Sequence, residues 1–270
     1  MIHVNVDVTN PGQFFACCGL LELADRLWPG AEGRFEGRNF VIAGSGVEAA
    51  ALLDGLTRCE LRNTMTPGQR SRRDELNAKS KLSPGEEVEL KRLDSLMREE
   101  PLVFGDPFCF RTDWWHDDRA GGSRFKTWAG QQSVLDIGTK MKVPLAGLDD
   151  PETWFTYRAS GAVPFFFDSD AGASSAVDVG FSPDPLKVGA SFRPLVELAA
   201  FVGLQRFRPR PAGDNLYEYV TWGEALPPEL AAVAACGLMP IRGQAFYFRL
   251  LFRTKYLKSF LPATAMGDVR

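Results

Sequence analysis

The sequence predicts an α+β fold, a mixed sheet with packed helices and an inserted charged helical hairpin, and three observations carry that expectation. Val4, Val6 and Val8 alternate with His3, Asn5 and Asp7, and Phe246, Phe248, Leu250 and Phe252 alternate with Tyr247, Arg249 and Leu251. A period of two is that of half-buried strands. Between these segments, apolar residues recur at helical spacing behind residues suited to capping. Residues 62–100 break from both patterns, being dense in charge and poor in large apolar side chains.

The elements follow in order. After the Val4–Val8 strand, Asn10 caps a helix with Pro11 in its first turn; Phe14, Cys17 or Cys18, Leu21 and Trp28 share helical spacing, and Pro29-Gly30 stops it. Phe35 to Ile42 predicts one short strand, and Val47 to Arg58 a second helix. Thr66-Pro67-Gly68-Gln69 and Ser83-Pro84-Gly85-Glu86 match the capping box, so two helices start there and form a hairpin. Its first helix has Leu76 as its one large apolar residue; its second carries Val88, Leu90, Leu93, Leu96 and Met97. The charges suit a solvated face, or, through Arg70, Arg72 and Arg73, a phosphate contact.

Phe104 to Trp115 predicts a strand or hairpin, Gln131 to Lys140 a helix, Trp154 to Tyr157 and Val163 to Phe167 strands, and Leu195 to Val202 a buried helix closed by Gly203. Pro227 and Pro228 precede a small-residue helix, Glu229 to Cys236. In the last strand, Gln244 to Lys255, the alternation turns Phe246, Phe248, Leu250 and Phe252 to the core and leaves Tyr247, Arg249, Arg253 and Lys255 with Leu251 on the other face. That face suits either a nucleic-acid backbone or an edge strand guarded by positive charge. No internal repeat or long linker divides the chain, so the expectation is one domain over residues 1–270 with the hairpin of residues 62–100 inserted.

With 270 residues and 45% apolar content the chain can bury a substantial core, and its net charge of −3 excludes a binder that is basic over its whole surface. The five cysteines form no C-x-x-C pair, which fits neither a disulfide framework nor a zinc ribbon and suits a reducing cytoplasm. No apolar run approaches the length of a membrane span and no secretion signal is read, so the expected location is cytoplasmic, with no membrane partner.

The segment Gly121 to Lys142, GGSRFKTWAGQQSVLDIGTKMK, crowds glycines, cations and amides around Trp128. Arg124, Lys126, Lys140 and Lys142 offer charge to phosphates, Gly121, Gly122 and Gly130 allow close backbone approach, and Trp128 offers a stacking plane. A second segment, Phe165 to Leu186, runs from an apolar stretch into a Gly/Ser-rich loop. With TNPGQFFACCGLLELADRLW at Thr9 to Trp28 and VELAAFVGLQRFRP at Val196 to Pro209, the blocks Asp113 to Val134 and Pro164 to Leu186 resemble the large-subunit-like component of CRISPR type I Cascade complexes, in the subtype called U and later G.

That resemblance implies a subunit without a reaction of its own. Guide RNA pairing reads the target, while such a subunit holds target double-stranded DNA beside the short flanking motif, supports R-loop formation and docks the helicase-nuclease. Its other partners are the remaining Cascade subunits and the guide RNA. The chemistry of the residues selects Arg124, Lys126, Gln131 and Gln132 for DNA, with amides reading base edges and cations binding phosphate. Ser174 and Ser175 suit phosphate donors. Arg206, Arg208, Arg249 and Arg253 form a second set, the first two belonging with Arg210 to an extended, Pro-interrupted segment that directs guanidinium groups to one side. The alternative is an adaptor that binds guide RNA or other subunits without touching target DNA.

Catalytic chemistry has less to stand on. His3 and His116 are the only histidines, too few for a histidine-rich nuclease centre. GGSRFKT lacks the glycines a phosphate-binding loop needs, since Phe125 and Ala120 occupy their places, so no cofactor is implied. Ser174 and Ser175 lack the frame of a hydrolase nucleophile. Two carboxylate groups, Asp113, Asp117 and Asp118 in one segment and Asp168, Asp170 and Asp178 in another, leave a magnesium-dependent nuclease as the third reading. Asp-x-Asp in a Gly/Ser-rich turn is more often a turn or cap than a ligand pair, so no metal is expected.

Overall fold

A computed structural model describes residues 1–116, 124–128, 132–171, 191–253 and 256–269. In chain order the elements are β1 (Ile2–Asn5), α1 (Pro11–Leu27), β2 (Glu32–Glu36), β3 (Asn39–Ala43), α2 (Ala49–Arg58), β4 (Leu61–Asn63), α3 (Pro67–Ala78), α4 (Pro84–Glu99), β5 (Leu102–Phe104), β6 (Phe110–Thr112), α5 (Val134–Lys142), α6 (Pro194–Gly203), β7 (Arg210–Gly213), β8 (Leu216–Val220), α7 (Pro228–Ala235), β9 (Gly243–Arg253), β10 (Tyr256–Phe260) and β11 (Thr264–Val269). The fold is α+β, as its sequence predicts.

The strands make three sheets: β1-β3-β2, β4-β5-β6, and β10-β9-β8-β7 with β11 also on β9. Every described pairing within them is antiparallel, which corrects the expectation of a mixed sheet. Side-chain alternation reports which face is buried and says nothing about the direction of the neighbouring strand. β9 lies between β8 on one side and β10 and β11 on the other, so the guarded-edge reading of this strand is also corrected. Its alternation holds at Phe246, Phe248 and Leu250, which are buried, and fails at Phe252, which is 37% exposed.

Three other expectations change. Phe35 to Ile42 is part of a hairpin, because Gly37, at φ +59, lets the chain reverse between β2 and β3. Trp154 to Tyr157 follows a 3-10 turn at Pro151–Thr153, and Val163 to Phe167 joins no ladder. Trp154, Phe155, Phe165 and Phe167 are buried there as core plugs. The amides of Phe167 and Asp168 are taken by the Glu197 carboxylate, which satisfies them without a partner strand.

α1 begins where the Asn10 side chain accepts from the amides of Gly12 and Gln13. It is buried from Pro11 through Ala24, and α6 is buried over all ten of its residues. Helices apolar on every side belong inside a protein. Here they enclose each other: a Cβ on Gly19 would lie 1.9 Å from the carbonyl oxygen of Ala199, and one on Gly203 would lie 2.1 Å from that of Phe15. Backbone therefore meets backbone at the crossing. Around this pair, Phe14 stacks on Tyr219 at 4.1 Å and on Phe35 at 5.5 Å, and Phe15 meets Phe248 and Phe260, so α1 joins two of the sheets. The Trp222 indole donates to the Gly33 carbonyl at 2.7 Å and ties the strand β2 to the chain after β8.

The hairpin α3–α4 leaves the body between β4 and β5, which pair directly with each other. Both capping boxes are formed, at Thr66 with Gln69 and at Ser83 with Glu86. It buries a small cluster of its own, Met65, Leu76 and Leu93. No helix among the described residues is long and apolar enough to cross a membrane.

Gly203→Ala should lower stability by about 3 kcal/mol or more, because the added methyl overlaps a backbone that cannot yield. Gly68, with nothing within 4 Å of its would-be Cβ, is the control: Gly68→Ala should change stability by less than about 1 kcal/mol. Urea-unfolding midpoints of the two variants test the contrast.

Candidate nucleic-acid interface

The four segments singled out by sequence, separated along the chain, meet at the α1–α6 pair. Asn10 holds two of them. Its Oδ1 caps α1 and accepts from the Ser169 amide at 3.3 Å, while its Nδ2 donates to Asp168 Oδ1 at 2.7 Å. Gln205, just beyond α6, accepts from the amides of Asp113 and Trp114 at 2.9 and 3.1 Å and donates to Asp113 Oδ1 at 3.2 Å. The Trp114 indole donates to the Phe201 carbonyl at 3.0 Å. These bonds match buried polar groups of one segment with those of another, whereas the indole nitrogens of Trp115 and Trp128 and the Ser169 hydroxyl are buried without a partner among the described residues.

Asp168 is fully buried and accepts from Arg193 Nη1 at 3.1 Å; Arg193 Nη2 reaches Asp170 at 2.9 Å. The Asp-x-Asp pair considered as metal ligands is thus joined to a guanidinium. Among the described residues no group of three His, Cys, Asp or Glu side chains is placed to hold a metal ion. Asp113 is tied to Gln205 and Arg111, whereas Asp117, Asp118 and Asp178 lie outside the described residues.

Glu197 is fully buried like Asp168, accepting from the amides of Phe167 and Asp168 at 3.1 Å each. Burial, reinforced by the neighbouring Asp168, pushes it up to about 8, against the pull of those backbone donors. Sequence inspection passed over both Arg193 and Glu197. A signal for Glu197 was present, since a lone carboxylate in the apolar run LVELAAFVG demands buried partners.

The segment 124–128 is an anchor with one charged residue at its centre. Phe125 is buried against Tyr217, with ring centroids 4.8 Å apart, and Thr127 Oγ1 donates to the Phe165 carbonyl. Trp128 is 5% exposed, packed among Trp114, Trp115, Phe165 and Phe201. This corrects the stacking-plane expectation: flanking glycines and amides disguised a tryptophan that completes an aromatic cluster. Lys126 lies half-buried between these anchors, its Nζ 5.7 Å from the Trp128 ring centroid, within cation–π range. Burial lowers its pKa, with Glu99 acting in the opposite direction. It makes no ion pair among the described residues.

Arg124 is exposed at the turn before Phe125, and Gln132 is half-buried just ahead of Ser133, whose hydroxyl caps α5. Gln131, Ser174 and Ser175 lie outside the described residues, as do Gly121, Gly122 and Gly130. Of the residues selected for DNA in this segment, the described ones are Arg124, which is exposed, and Lys126 and Gln132, which are half-buried.

The second set is dispersed. Arg206 pairs with Glu22 at 2.7 Å and with Glu229 at 3.4 Å, and Arg210 pairs with Glu218 at 2.6 Å. Burial pushes Glu22 up, yet Arg206 and Arg26 together hold it below the usual carboxylate range. The expected rail of parallel guanidinium groups is corrected on this point, since Arg206 and Arg210 turn to the buried carboxylates Glu22 and Glu218. Arg208 is half-buried, and its carbonyl accepts from the Cys236 thiol. Arg249 is exposed on β9 and donates to the Asp214 carbonyl at 3.4 Å; the side chain of Arg253 and the whole of Lys255 lie outside the described residues.

The hairpin arginines are likewise engaged. Arg70 donates to Asn63, Arg72 pairs with Glu89 and Glu75, and Arg73 pairs with Asp94. His116 is exposed and its Nε2 contacts the Glu99 carbonyl.

Glu197 predicts a pH dependence. Its folded pKa of about 8 exceeds an unfolded value of about 4.3, so its contribution is fully present below the unfolded value and is lost as pH rises toward the folded one. The urea midpoint should decline from mildly acid to mildly alkaline pH, and Glu197→Gln should flatten that decline. The slope is the readout, because the amide also alters the bonds to Phe167 and Asp168.

Comparisons with protein-family models, with curated proteins and with solved structures returned no match to this chain.

Proposed function

We propose that the chain is a non-catalytic subunit of an RNA-guided CRISPR type I surveillance complex, a Cascade component that holds target DNA near its flanking motif. In that role it supports R-loop formation and the docking of a helicase-nuclease, while guide RNA and the other subunits supply target selection. The reading rests on the family resemblance of four sequence blocks, and it gains from their convergence on the α1–α6 pair.

The observation that carries the DNA contact is Lys126. A half-buried ammonium on an aromatic face, with its pKa lowered by burial and no ion pair among the described residues, gains more from an incoming phosphate than a solvated lysine does. Arg124 on the same stretch adds a second cation. Phosphate contacts of this kind position a duplex and do not read its sequence.

A second reading, an adaptor that binds guide RNA or other subunits and does not touch target DNA, is favoured by the pairing of Arg206, Arg210, Arg72 and Arg73 with carboxylates of the chain itself. Those four have already spent their charge.

The two readings diverge in the assembled complex. If the DNA reading holds, Lys126→Ala and Arg124→Ala leave assembly intact, weaken binding similarly for all targets bearing the flanking motif, and make the slope of log affinity against log salt shallower by about one each. Unchanged target affinity and salt slope in a fully assembled complex would establish the adaptor instead.

A further inference from the structure

A groove of about 310 Å³ runs between α2 and the turn that follows α5, at the small end of the range for ligand-sized clefts. Its floor is apolar: Leu53, Leu145 and Leu148 are buried beneath it, and Ala50 and Ala146 form low, exposed walls. Val143, at the start of the same turn, is 69% exposed. An apolar floor that stays open at the surface is a place for another molecule's side chains.

The rim is acidic. Asp54 and Asp149 line it, and Asp150 and Glu152 follow on the Asp149 side. Arg58 neutralises Asp54, and the nearby Lys142 donates to the Cys59 carbonyl. Asp149, Asp150 and Glu152 are exposed and make no ion pair among the described residues. Asp150 uses one oxygen to accept from the Glu152 amide at 3.0 Å, which leaves its charge in place. Three carboxylates within four residues repel a phosphate backbone and attract cations.

We propose that this groove docks a segment of a partner protein that places one or two aliphatic side chains on the leucine floor and lysines or arginines against the Asp149–Glu152 rim. The floor supplies apolar burial, and the rim supplies orientation and encounter rate. The proposal is independent of the DNA reading, because it concerns a face whose charge is opposite to that of Lys126.

A fluorescein-labelled peptide of alternating leucine pairs and lysines is the probe, titrated into the full chain and followed by anisotropy. Ala146→Trp and Ala50→Trp fill the groove without changing its charge, and Asp149→Lys puts a cation into the rim beside Asp150 and Glu152 without touching the floor. The expected result is binding that weakens by about tenfold or more in each variant, with melting temperatures unchanged. Should one filled variant fail to fold, the other and Asp149→Lys decide. The proposal is overturned if the filled variants bind as the parent does, if a peptide with glutamate in place of lysine binds equally, or if a single-stranded oligonucleotide competes for the groove.

Discussion

The contact between Gly19 on α1 and the Ala199–Gly203 stretch of α6 is the constraint on which the other packing depends. Without side chains at the crossing, the two helices approach until carbonyl oxygens lie where a methyl group would be. That proximity lets two helices that are buried along most of their length cover each other. It also sets the depth of everything packed outside them. Phe14 and Phe15 reach the sheet residues Tyr219 and Phe248 from one helix, while Phe201 on the other meets Trp114, Trp115 and Trp128.

A close helix pair also gathers charge into the interior, and the chain handles that charge by matching it. Asp168 faces Arg193 and Asn10, Glu22 faces Arg206 and Arg26, and Glu218 faces Arg210. Buried carboxylates left unmatched would cost far more than such pairs return, so these arginines are fixed by stability before any ligand is considered. Glu197 differs, having backbone donors and, among the described residues, no ion pair, which is why burial prevails in its titration.

Among the described residues, the charges left without an ion pair include two of opposite sign. Lys126 is held on Trp128 by anchors on either side of it, Phe125 and Thr127–Trp128. The Asp149–Glu152 rim stands beside an apolar groove whose lining comes from α2 and the turn after α5 and includes none of residues 124–128. A near-neutral chain can in this way present one surface suited to a polyanion and another suited to a basic protein segment, a distinction that the net charge of −3 conceals.

Local chemistry determined a good deal of this from sequence alone. The Asn10 cap with Pro11, the capping boxes at Thr66 and Ser83, the buried helix α6 and the alternation from Phe246 to Leu250 were legible because each depends on residues a few positions apart, although Gly203, expected to close α6, is its last helical residue, with Leu204 as the cap. Strand direction, the central place of β9, the burial of Trp128 and the engagement of Arg206 and Arg210 were not. Each is settled by a partner far away in the chain: β10 and β11 for β9, Trp114 and Phe201 for Trp128, Glu22 for Arg206. Composition near a residue reports its own preferences, whereas burial and ion pairing are properties of a pair of positions. Only the tertiary structure, by bringing α1 against α6, decided which cations were consumed inside the fold and which remained at the surface.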